Sequence, residues 1–205
     1  MFTGIVAGVG RILEVERLSA DGGVRLTVDA SDVPAFSVEV GDSVAIAGAC
    51  MTAVLVDRGV FAVNTSKESL ARTAGLDAPG EVNIETSIRA GDSLGGHLVA
   101  GHVDGVGEVV SMTPAHESWD LVVRAPAELS KYFAYKGSVT VDGVSLTVNR
   151  VVDGTQGCEF SVNVIPHTHR VTTLRSLRAG SRVNIEVDLI ARYVERMLSL
   201  RSGNA

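Results

Sequence analysis

Met1-Phe2-Thr3-Gly4-Ile5-Val6-Ala7-Gly8-Val9-Gly10-Arg11-Ile12-Leu13 opens the chain, and Leu98-Val99-Ala100-Gly101-His102-Val103-Asp104-Gly105-Val106-Gly107-Glu108-Val109-Val110 says nearly the same thing again. Two further matches follow in the same order. Ser43-Val44 with Gly48-Ala49-Cys50-Met51-Thr52 returns as Ser138-Val139 with Gly143-Val144-Ser145-Leu146-Thr147, and Val82-Asn83-Ile84-Glu85 returns as Val183-Asn184-Ile185-Glu186. The displacement between the copies drifts by only a few residues, as short loop insertions would cause, so the chain is a duplicated domain. A duplicated binding fold points to two similar ligands.

The 205 residues would suit one large or two small domains, and the repeat decides for two. A hydrophobic fraction of 45% is enough for two cores, while a net charge of -6 and only three aromatic residues before Trp119 (Phe2, Phe36 and Phe61) argue against a nucleic-acid footprint. No stretch approaches the roughly 18 apolar residues of a membrane span, and the N-terminus lacks the charged start of a signal peptide. The expected address is cytoplasmic and the expected partner a small molecule. Cys50 and Cys158 fall at non-equivalent positions of the repeat and read as reduced thiols rather than a disulfide framework.

Short β-branched runs separated by glycine and acidic turns fill both halves. They are Ile5 to Val15, Val24 to Asp29, Ser43 to Val56 with a bend at Gly48, Val60 to Asn64 and Val82 to Thr86. Their counterparts are His102 to Val110, Asp120 to Arg124, Ser138 to Val152, Glu159 to Ile165 and Arg182 to Val187. About six strands per copy suit a closed barrel, which removes exposed edges. Brief helical pieces are expected at Lys67 to Thr73 and Ala127 to Phe133. From Leu189 to Leu200, Ile190, Tyr193, Met197 and Leu200 recur at helical spacing, so a terminal helix must pack on its own barrel or on other copies.

The glycine-rich stretch Gly91 to His102 carries no phosphate-binding loop, and its glycines serve turns or a close approach to a ligand. His97, His102, His167 and His169 lack an acidic or thiolate companion at ligand spacing, so no metal site is expected. His102 falls opposite the apolar Ile5, and Ser145 opposite Cys50. Such pairs are either specialised for chemistry or are a satisfied strand histidine and small residues beside a bend. In a third pair, Asn64 to Thr73 answers Asn163 to Thr172, where a strand end gives way to a short helix whose backbone groups could read a heterocycle.

These residues together resemble the riboflavin synthase family. The likeness runs through Met1 to Val6, Gly95-Gly96-His97-Leu98, Gly101-His102-Val103, Tyr135-Lys136-Gly137, Asp142 to Val148, Ile165-Pro166 with Thr168, and Val183 to Glu186. It implies an all-β fold of two tandem six-stranded antiparallel Greek-key barrels, at 1–97 and 98–187, followed by an oligomerisation helix and tail at 188–205. It further implies a homotrimer, a transferase without cofactor or metal, and two molecules of 6,7-dimethyl-8-ribityllumazine as substrates. One gives a four-carbon unit to the other, forming riboflavin and 5-amino-6-(D-ribitylamino)uracil. Whether the chain also associates with lumazine synthase stays open at this level.

By the same resemblance, Gly4, Ile5, Val6, Ala49, Cys50, Met51, Asn64, Thr65, Ser66, Lys67, Glu68 and Ser69 line the pocket of the first barrel. Gly101, His102, Val103, Lys136, Ser145, Leu146, Thr147, Val164, Ile165, Pro166, His167, Thr168 and His169 line that of the second. His102, Ser145 and Thr147 are the candidates for proton transfer and orientation, and Cys50 for placing a nucleophile or water. The chain departs from the family pattern at Ala47, where asparagine is common, at Met51, where leucine is common, and at His167 and His169 in place of glutamate and leucine. A lumazine or flavin carrier on the same barrels, and a purely structural double barrel, are the competing readings.

Overall fold

The computed structural model describes residues 1–19, 22–155 and 157–202. The first half forms six strands: β1 (Gly8–Arg17), β2 (Val24–Asp29), β3 (Ser43–Ile46), β4 (Ala49–Asp57), β5 (Val60–Thr65) and β6 (Gly80–Thr86), with helix α1 (Lys67–Arg72) between the last two. They close into a ring ordered β1-β2-β5-β4-β3-β6, with every pairing antiparallel. The second half repeats this with β7 (Gly105–Ala115), β8 (Ser118–Ala125), β9 (Ser138–Val141), β10 (Val144–Gly154), β11 (Gly157–Val164) and β12 (Arg182–Val187). Its closed ring has the equivalent order. Helix α2 (Pro166–Val171) answers α1, and α3 (Leu189–Ser202) ends the described chain.

Two long expected runs, Ser43 to Val56 and Ser138 to Val152, each divide into a hairpin. The dividing turns are Ala47-Gly48 and Asp142-Gly143, with φ of +47° and +84° in the first and +47° and +79° in the second, as a two-residue hairpin demands. The register slips once within each of β1, β4, β7 and β10. Bulges at these matching places bend the strands enough to close a small barrel. Ala127 to Phe133, expected to be helical, is a 3-10 turn spanning Ala127–Tyr132.

Alternation along the strands fills each ring with its own side chains. Ile12, Leu26, Val28, Phe61, Val63 and Ile84 pack the first interior; Leu121, Val123, Val148, Phe160, Val162 and Ile185 pack the second. The barrels are therefore solid, and a ligand has room only on their outer faces. Between them lies a small apolar cluster of Phe2, Ala45 and Val99, where Phe2 and Val99 exchange backbone hydrogen bonds of 2.8 and 3.1 Å.

The two halves meet through reciprocal contacts. A Cβ on Gly48 would stand 2.7 Å from Gly143 N, and one on Gly143 would stand 2.9 Å from Gly48 Cα, so the two hairpin turns touch through glycine alone. Asn83 Nδ2 donates to Asp142 O at 2.9 Å and Asn184 Nδ2 to Ala47 O at 3.0 Å. Their amide oxygens accept from Thr173 N and Ala74 N. The buried asparagines of the repeated Val-Asn-Ile-Glu segment are thus the joint between barrels. No described helix is long and apolar enough to cross a membrane.

Candidate active site

The strands expected to begin at Ile5 and His102 begin at Gly8 and Gly105 instead. The residues before them leave their own ring and cross to the other one. Gly4, with φ +74°, lies so close to the second barrel that a Cβ there would be 2.6 Å from Ser145 Cβ, and its carbonyl accepts from Ser145 N at 2.8 Å. Gly101, with φ +78°, does the same to the first barrel: a Cβ would be 2.6 Å from Cys50 Cβ, and its carbonyl accepts from Cys50 N at 2.8 Å. The expected grouping is corrected accordingly. Gly4, Ile5 and Val6 stand with Ser145, and Val6 packs against the second core; Gly101, His102 and Val103 stand with Cys50, and Val103 packs against the first.

A carboxylate clamps each crossing segment. Glu85 accepts from Thr3 N and Thr3 Oγ1, both at 2.7 Å, and from Gly4 N at 3.0 Å. Glu186 accepts from Ala100 N at 2.7 Å, Gly101 N at 2.9 Å and His102 N at 3.0 Å. Both are almost fully buried, and loss of water holds each carboxyl above its usual range although those N–H bonds pull the other way. His102 itself is exposed and lies outside the strands, which replaces the reading of a satisfied strand histidine.

On β10, Ser145 and Thr147 face outwards while Val144, Leu146 and Val148 point into the barrel. Ser145 Oγ lies 2.8 Å from His97 Nδ1. Burial pushes the His97 imidazole below its usual range, against the opposing charge of Asp188, so the neutral ring can exchange a proton with the hydroxyl. His97 lies ahead of the stretch over which the copies align, so comparing the copies gave it no partner; its signal was the Gly95-Gly96-His97 run alone. Gly96 belongs to the same fit, since a Cβ there would be 2.9 Å from Ser145 Cβ.

The remaining expected residues divide by direction. Ala49, Met51, Thr65, Leu146 and Val164 are turned into the barrels, where Thr65 Oγ1 donates to Met51 Sδ, so they support the site from behind. Asn64, Ser66, Lys67, Glu68, Ile165, Pro166 and His167 are exposed, and Ser69, Thr168 and His169 half-buried, around α1 and α2. Ser66 caps α1, its Oγ accepting from Ser69 N at 3.0 Å. His169 stacks on Trp119 at 3.7 Å between ring centres and 3° between planes. Lys136 Nζ reaches Asn149 Oδ1, further along β10 than Thr147.

Two cavities occupy matching places. One, of about 450 Å³, lies among Glu68, Arg72, His102, Val103, Asp104, Glu186, Arg192 and Tyr193. The other, of about 380 Å³, lies among Thr3, Ile5, Ala7, Glu85, Ile88, Asp92 and Gly95. A third groove of about 640 Å³, more apolar, runs between the 3-10 turn and α3, past Phe133, Ile190 and Val194. Both cysteines are free; burial pushes the Cys158 thiol up to about 11, whereas Cys50 is half-buried at the first site.

The lumazine-binding domain model matches twice, at residues 3–87 and 100–188. The chain is 43% identical over 202 residues to riboflavin synthase of Mycobacterium bovis, covering 97% of this chain and 98% of that one. It is 42% identical over 200 residues to that of Photobacterium phosphoreum, covering 97% and 89%. Among solved structures, LumP complexed with riboflavin superposes with a TM-score of 0.80 at 24% identity, over 91% of this chain and 99% of that one. LumP complexed with 6,7-dimethyl-8-(1'-D-ribityl) lumazine gives 0.78 at 23%, with the same coverage. Duplicated barrels, reciprocal sites and full-length relatives agree: the chain belongs to the riboflavin synthase family, with two lumazine-binding domains in tandem.

Proposed function

We propose that the protein is a riboflavin synthase, a transferase that combines two molecules of 6,7-dimethyl-8-ribityllumazine into riboflavin and 5-amino-6-(D-ribitylamino)uracil. The observation that carries this reading is the pair of outer-face sites, built alike around Cys50 and Ser145 but equipped differently. A reaction between two identical molecules needs two similar seats. It also needs unequal chemistry at them, because one lumazine gives four carbons and the other receives them. Both products together contain the atoms of the two substrates, so no oxidant or reductant enters the balance.

In this reading the Ser145 hydroxyl and His97 imidazole form the proton-handling pair at the second site. One lumazine loses a proton from its C7 methyl group, and the resulting carbanion attacks the other. His102 follows Gly101, whose backbone lies against Cys50 on the first barrel, and lines the cavity there with Glu68 and Val103, where it orients the partner ring. Thr147, outward beside Ser145, orients the ring at the second site. Holding two rings face to face contributes on the order of 7–11 kcal/mol in favourable intramolecular models.

The productive pair forms between chains, the first barrel of one facing the second barrel of its neighbour within a homotrimer. The support is α3, whose Ile190, Tyr193 and Met197 are 64%, 65% and 69% exposed along one apolar stripe. Incubating the purified protein with the lumazine alone tests the reading. Riboflavin should appear at one mole per two moles of lumazine consumed; binding without product would make the protein a carrier, and no binding would leave only the structural reading.

A further inference from the structure

Asp104 ties three elements together. Its backbone N–H donates to Ile185 O at 2.8 Å, and its Oδ2 accepts from Val187 N at 2.8 Å. From α3, Arg192 Nη2 donates to Asp104 Oδ1 at 2.7 Å and Oδ2 at 3.0 Å. Two residues earlier, the crossing segment is held by Glu186, so residues 100–104 are pinned at both ends by the last residues of β12.

The two carboxylates, on neighbouring rungs, are both largely dry: the Asp104 side chain is 11% exposed and Glu186 3%. Two carboxylates held by the same strand end repel one another and gain from a cation set beside them. Arg192 supplies it, and the first copy shows by contrast why it is there. Glu85 clamps its segment alone, because Ala7 stands where Asp104 stands, and no helix follows β6 at the corresponding place.

We infer that Arg192 is a positioning residue: through Asp104 it fixes the His102 segment over Cys50, so the site on the first barrel is in register only when α3 is docked. Two ion pairs hold α3 to its own chain, Arg192 with Asp104 and Glu195 with Lys131 at 2.7 Å, while Ile190, Tyr193 and Met197 keep most of their side-chain surface exposed. Anything that seats the stripe therefore also steadies the segment. This rests on the riboflavin synthase reading for its consequence in turnover, but not for the tether itself.

The test compares wild type, Arg192→Met and Arg192→Lys, measuring amide exchange of residues 100–104, native mass, and steady-state riboflavin formation. Arg192→Met should speed exchange across 100–104 at least tenfold and lower kcat about tenfold, with KM changed less than threefold and native mass unchanged; Arg192→Lys should restore both within about threefold. Wild-type exchange in Arg192→Met would overturn the inference, as would a loss of kcat that Arg192→Lys fails to restore or that follows a change of native mass. If the wild type makes no riboflavin, the functional reading fails while the exchange comparison still decides the tether.

Discussion

At Asp142 a single side chain sets a pH dependence. Burial at the inter-barrel turn raises its carboxyl to about 7, even though the oxygen accepts from Asn184 N at 2.8 Å. A carboxyl whose folded value lies above its unfolded value of about 3.8 binds more protons when folded, so its stabilisation is complete at low pH and is lost as pH rises towards 7. Glu85 and Glu186 act in the same direction. Asp142→Asn keeps the acceptor without the charge, so its melting temperature should gain on wild type between pH 5 and pH 8; an equal gap at both pH values would show that Asp142 does not titrate there. At the second site, Ser145→Ala and His97→Gln should each lower kcat by about 10²-fold, within the range of a lost acid–base partner, while lumazine affinity in a direct titration changes little. The double variant should lose no more than either single one, since the two act as a pair. Ser145 was legible from the repeat because a counterpart, Cys50, marked it. His97 was not, because its partner is 48 residues away and only folding joins them.

At the scale of elements, hairpin turns and strand faces followed from local chemistry. Gly48 and Gly143 supply the left-handed turns, and alternation in Val144 to Val148 separates an inward Leu146 from outward Ser145 and Thr147. The crossing segments did not follow from local chemistry. Ile5-Val6 and Val103 look like the start of a strand, and their departure is dictated by Glu85, Glu186 and the opposite hairpins, all distant in sequence. Gly101→Ala tests that crossing: a left-handed residue with its Cβ against Cys50 should cost roughly 2–4 kcal/mol, read by urea unfolding. Gly41→Ala, also left-handed but with nothing within 4 Å, should cost only the backbone share, about 1–2 kcal/mol. Equal losses would mean that the approach to Cys50 is not tight.

For the whole molecule, the amphipathic spacing from Leu189 onwards was readable and the helix formed over it, yet the same spacing left two destinations for the apolar stripe. The ion pairs to Asp104 and Lys131 now decide which side of α3 faces its own chain. The stripe they leave outside is broad enough to demand cover in an assembly. If the proposed trimer closes over this stripe, Met197→Glu should shift the native mass from three chains to one, with the far-UV spectrum of the barrels kept and riboflavin formation lowered more than tenfold. An unchanged mass would remove this stripe from the trimer contact.

The exchange of residues 2–6 and 99–103 between barrels also bears on inheritance. A tandem repeat ordinarily offers recombination a safe cut at its linker, since each half carries its own working parts. Here a cut between residues 87 and 98 would hand Cys50 an unfamiliar Gly101-His102-Val103 and Ser145 an unfamiliar Gly4-Ile5 in one stroke. The halves fit as a matched set, so a chimera of two relatives should work only when the crossing segments travel with the hairpins they cover.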